Sequence, residues 1–139
     1  NKLKSDNSYQ RSIGLMLITE NVRWDEENRM EDTIDEYLEL LCDEKPITIR
    51  QCIQSLGKLV QYKPNLNEKI VKRLIAFDIM SVKETMRKPI LLDIIAVLLT
   101  VRKEQKTDEA DVFIHNALMG EILDKKSKKH IEVELERQH

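Results

Sequence analysis

Asp43-Glu44-Lys45-Pro46-Ile47-Thr48-Ile49-Arg50-Gln51-Cys52-Ile53-Gln54-Ser55-Leu56-Gly57 is the stretch on which the reading of this chain turns. Pro46 suits the first turn of a helix, where a missing N–H costs little. Beyond it Ile49, Cys52, Ile53, Leu56, Leu59 and Val60 recur at the three- and four-residue spacings that line one helical face. Pro64 closes the pattern.

The same pattern returns in both directions at a period near 38 residues. With Arg11, Arg50 and Lys88 aligned, the columns Ile13/Cys52/Ile90, Leu17/Leu56/Ile94 and Ile18/Gly57/Ile95 fall into register. A second set of helices alternates with these. It is carried by Met30, Ile34, Tyr37, Leu38 and Leu41, ending near Asp43, and then by Ile70, Val71, Leu74 and Ile75, capped by Asn65 or Asn67 and running to about Ile79. The third member follows the Thr107-Asp108 cap and packs through Val112, Phe113, Ile114, Ala117, Leu118, Ile122 and Leu123. The expected helix pairs cover about 8–43, 46–80 and 82–123. Pro89 either kinks the long helix expected from near Ser81 or marks its start. The apolar run Ile90 to Val101 calls for burial on several sides. Residues 124–139, with Lys125-Lys126-Ser127-Lys128-Lys129 ahead of Ile131, Val133 and Leu135, form a terminal helix or a tail.

In its acidic residue, Pro46, the Ile49-Arg50 pair and the later Leu56-Gly57, the opening stretch resembles the HEAT-repeat family, and with it the ARM-type α-solenoids. The resemblance spans about residues 8–123. It implies an all-α chain, an α-α superhelix of about three HEAT-like antiparallel helix pairs in a single domain over 1–139, because one pair cannot bury its own apolar stripes. Repeat 1 lacks the Pro, and repeat 3 places Pro89 after the basic residue. A plain six-helix bundle is the alternative.

Composition agrees with the helical reading. In 139 residues there are only three Gly and three Pro, too few to punctuate a many-stranded β protein, while 41% hydrophobic residues argue against a disordered chain. Cys42 and Cys52 lie inside apolar helical patterns and read as buried thiols, which favours a reducing, cytoplasmic setting. The longest apolar stretch is too short to span a bilayer and the first residues lack the apolar run of a signal peptide, so no membrane association is expected.

For function, the distribution of charge says more than its sum of −2. Trp24 to Lys45 carries ten acids and two bases, and Lys58 to Lys103 ten bases and four acids. In a HEAT-like stack the second helix of each pair lines the concave surface. The resemblance therefore places Glu31, Asp32, Asp35, Glu36 and Glu39, then Lys69, Lys72 and Arg73, then Asp111, His115 and Asn116 on an exposed face. Of these, Asp32, Asp35, Glu36, Glu39, Lys69, Lys72, Arg73 and His115 are the candidate partner-binding residues. Such a field suits a protein or peptide partner of complementary charge, and a non-enzymatic interaction or scaffold module is the expected role. Gly14, Gly57 and Gly120 stand singly within expected helices, so no phosphate-binding loop is present. His115 has no His or Cys one turn on to complete a metal pair. No catalytic residue, metal or cofactor is expected. Trp24 reads as a plug closing the end of the core, and the five Met as packing residues. The alternative is nucleic-acid binding, since some HEAT-like proteins, the alkylpurine DNA glycosylases among them, hold DNA in a basic concave groove.

Overall fold

A computed structural model describes residues 34, 38–62 and 64–138. The first helix of the pair expected over 8–43, most of its second helix, Trp24 and Gly14 lie outside the described residues. Among those described the chain is all-helical: α1 (Pro46–Tyr62), α2 (Asn67–Ile75), α3 (Glu84–Glu104), α4 (Asp108–Met119) and α5 (Lys125–Arg137), with short 3₁₀ turns at Leu40–Cys42, Pro64–Leu66 and Ile79–Ser81.

Pro46 is the first residue of α1, and Asp43 prepares it by accepting the Lys45 N–H at 2.8 Å. The apolar stripe of α1 is the expected one: Ile49, Cys52, Ile53, Leu56, Leu59 and Val60 are all buried. It packs chiefly against α3, whose Ile90, Leu91, Ile94, Ile95, Val97, Leu98 and Val101 supply the burial on several sides that their pattern demanded. The two helices run in the same direction. Arg50 Nε meets Asp93 Oδ2 at 2.8 Å, and two turns further on a Cβ added at Gly57 would meet Val97 Cγ2 at 3.6 Å. Gly57 thus faces a neighbouring helix, as its position implied, although the gap would admit an ordinary side-chain contact.

The second helices are shorter, and α2 packs on α4. The helix expected to reach Ile79 stops at Ile75, because the chain turns extended at Asp78, whose carboxylate accepts the Met80 N–H and starts a 3₁₀ turn. Neither asparagine holds the N-cap position of α2. Leu66 holds the N-cap position in helical geometry, so α2 grows directly out of the Pro64–Leu66 turn, with Asn67 as its buried first residue. Helix α3 begins at Glu84 rather than Ser81 and keeps Pro89 inside it, which settles Pro89 as an internal residue. Thr107 caps α4, its Oγ1 accepting the Ala110 N–H at 3.3 Å. Gly120 is the C-cap of α4 and not an internal residue, and Ile122 and Leu123 lie beyond the helix. Val112 does not pack. It lies two residues from both Ala110 and Ile114, on the far side of a 3.6-residue helix, and is 58% exposed. Cys42 is exposed too, since in the tight Leu40–Cys42 turn it falls over Glu39, three residues earlier, on the outer side.

The uncertain C-terminal segment is a helix. Asp124 caps α5 by accepting the Ser127 N–H at 2.9 Å, and its other oxygen takes Lys88 Nζ at 3.0 Å. At the far end Gln138 Nε2 donates to the Leu99 carbonyl at 3.0 Å. The start of α5 therefore lies by the start of α3 and its end by the end of α3, so these two helices also run in the same direction. Ile131 enters the core.

Hydrogen bonds from Ser127, then the Lys88 ammonium, hold the Asp124 carboxyl well below the usual carboxylate range. A folded-state pKa depressed in this way gives stability that is present above the ordinary carboxylate pKa and lost as pH falls through the folded value. Asp124→Asn keeps a capping oxygen without the charge. Acidification below about pH 4 is expected to weaken α5 in the native chain more than in this variant, measured by circular dichroism during acid titration.

Candidate functional site

The C-terminal ends of α3 and α5 and the body of α4 border an open cleft of about 270 Å³, lined by Arg102, Asp111, Ile114, His115, Leu118 and Leu135. Arg102 is its central feature. It falls at a core position of α3, four residues after Leu98 and one after Val101, and its side chain is only 6% exposed. A cation so placed needs partners to offset its lost hydration. Two are provided: Nε donates to Asp111 Oδ1 at 2.8 Å and Nη1 to Gln138 Oε1 at 2.9 Å. Asp111 lies in the first turn of α4, where the helix dipole also favours a carboxylate. Gln138, the C-cap of α5, passes the connection on to the Leu99 carbonyl. Three helices are thus joined through one guanidinium, and apolar Ile114, Leu118 and Leu135 share the lining of the cleft.

Of the residues singled out by charge, Asp32, Asp35 and Glu36 lie outside the described residues, as does Glu31. Glu39, Lys69, Lys72, Arg73 and His115 are all exposed. They are not equally available. Lys72 Nζ pairs with Glu68 at 3.0 Å, and Glu68, with a smaller contribution from Glu109 of α4, raises its pKa. Arg73 Nη2 donates to the Leu38 carbonyl at 3.3 Å, bracing α2 against the chain just ahead of the Leu40–Cys42 turn. His115 lines the cleft, to which α2 contributes no residue.

Sequence reasoning placed Asp111 and His115 on one face and missed Arg102, Gln138 and Leu135. One signal was available for Arg102: a charge inside the buried period of α3 requires a partner, and Asp111 stands nine residues on.

Both cysteines are free thiols. Burial pushes the Cys52 thiol far up, with Arg73 acting weakly the other way, so it behaves as a packing group. Among the described residues no three His, Cys, Asp or Glu side chains are grouped to hold a metal ion, and no helix is long and apolar enough to cross a membrane. The chain matches no family model, no curated protein and no solved structure.

Proposed function

We propose that this chain is a short HEAT-like α-solenoid acting as a non-enzymatic protein-interaction module, which offers the surface of its second helices, α2 and α4, to a protein or peptide partner. The observation that carries this reading is the packing of like on like: α1 on α3, α2 on α4, and α5 alongside α3 in the same direction. Stacked hairpins expose a continuous row of second helices, the usual binding face of solenoids. Here the row has the mixed character of an interface. Charged Lys69, Lys72 and Glu109 stand beside Val112 and Met119, which are 58% and 74% exposed and lie two turns apart on one side of α4. Apolar side chains within a charged surround are the usual anchors of protein recognition.

Affinity capture from native extract with the full chain, repeated with Lys72→Glu combined with Val112→Glu, tests the proposal. Both positions are exposed, so melting temperature should change little. A partner retained by the native chain and lost by the double variant is the expected result. An identical set of captured proteins for both chains would end this reading.

The nucleic-acid alternative draws on one feature. Lys125, Lys126, Lys128 and Lys129 crowd the first turns of α5, the end at which the helix dipole disfavours cations. Phosphate binding there would give a gel shift with duplex DNA that fades as salt is raised. A chain that leaves DNA unshifted at low ionic strength has no such role.

A further inference from the structure

We infer that the cleft between α3, α4 and α5 is an anchor pocket within the partner-binding surface. It takes one apolar side chain of a bound polypeptide, while Arg102 Nη2 donates to the main-chain carbonyl beside that side chain. This rests on the protein-binding reading above and names what the partner must present.

The first ground is an unused donor. Arg102 is more than nine-tenths buried and is held on two sides, by Asp111 at Nε and Gln138 at Nη1, which leaves Nη2 without an acceptor among the described residues. Nη2 is not sealed from solvent, and a donor already fixed in place exchanges water for an incoming acceptor with little further loss of freedom. The second ground is the apolar lining that Ile114, Leu118 and Leu135 share with it, within a volume suited to a single large side chain rather than an extended ligand. The third is charge. Asp111 has already neutralised Arg102, so a second carboxylate would meet Asp111 at close range. An uncharged acceptor such as a peptide carbonyl meets no such opposition. Finally, the mouth opens on the partner-facing helix: exposed His115 lines the cleft, and Met119, one turn further along α4, is 74% exposed. A chain lying on that helix can reach in.

The test uses the full isotopically labelled chain, titrated with three small probes and followed by NMR. N-acetyl-leucinamide carries an apolar side chain between two carbonyls, N-acetyl-glycinamide lacks the side chain, and N-acetyl-leucine carries a free carboxylate. The leucinamide is expected to shift the Leu118, Leu135 and His115 resonances saturably in the millimolar range. Arg102→Met should weaken that binding by about tenfold, and Leu118→Asn should weaken it independently, which keeps the test decisive if the arginine variant folds poorly. The inference is overturned if the glycinamide shifts the same residues equally, if the free acid binds more tightly than the amide, or if no probe gives saturable shifts. The partner capture described above separates the two levels. A partner that depends on Lys72 and Val112 but tolerates Leu118→Asn removes the anchor pocket and leaves the protein-binding role, whereas a capture indifferent to Lys72 and Val112 removes that role itself.

Discussion

Replacing Leu56 with alanine is expected to lower folding stability by about 2–5 kcal/mol, the largest loss anticipated for any single truncation in α1. Leu56 is fully buried midway along the helix, within the stripe that α1 lays against α3. Removing three carbons there forfeits their transfer from water and opens a void that the neighbouring first helix cannot close without moving. Domains of this size are stable by only about 5–15 kcal/mol, so the change takes a large share of the total. Urea unfolding should show a lower midpoint at unchanged slope. The control lies on the same helix: Ile47 is 60% exposed, and its alanine variant should stay within about 0.5 kcal/mol of the native chain.

Pro89→Ala is expected to act in the opposite direction, raising stability by about 1–3 kcal/mol. Pro89 is the sixth residue of α3, past the first turn in which proline is tolerated. It cannot donate to the Thr85 carbonyl four residues back, and its ring crowds that carbonyl. The turn preceding it survives because other groups hold it. Arg87 donates from Nε to the Val82 carbonyl and from Nη2 to the Met80 carbonyl, each at 3.2 Å, and Lys88 reaches Asp124. Alanine restores the missing bond and adds the best helix former at that position. Thermal unfolding measures the gain. A variant no more stable than the native chain would mean that residues 84–88 contribute nothing that Pro89 was weakening.

How legible this fold was depended on how local its causes are. The stripes of α1 and α3 were readable because each is fixed by spacing within one helix, and the Thr107 cap because its hydroxyl bonds an amide only three residues away. Expectations failed where a short-range competitor took over. Asp78 drew the chain out of α2 by binding the Met80 N–H, and the tight turn at Leu40–Cys42 rotated Cys42 to the outside. Val112 was assigned to the core from its apolar character alone, although its spacing from Ala110 and Ile114 already placed it opposite. The cleft was the least legible part. Asp111 and His115 were noticed as exposed polar groups, but the bond from Arg102 to Gln138 spans 36 residues, and no local pattern indicates which of several surface amides will cover a buried guanidinium.

Among the described residues, the side-chain bonds that join helices distant in sequence are of similar reach. Arg73 to Leu38, Lys88 to Asp124, Arg102 to Gln138, Gln138 to Leu99 and Arg50 to Asp93 span 35, 36, 36, 39 and 43 residues, each about one period. Loop closure on that scale has a modest and nearly constant entropic cost. In the proposed solenoid each pair therefore relies on its immediate neighbours, as in a one-dimensional chain of coupled units, and the helix with the least buried surface should open first. Amide protons of α5, in which Ile131 is the buried residue, should exchange sooner than those of the heavily buried α1 and α3. A ligand seated where α3, α4 and α5 meet would then do more than bind: by bracing the sparsely buried α5, it would slow exchange several turns away from anything it touches.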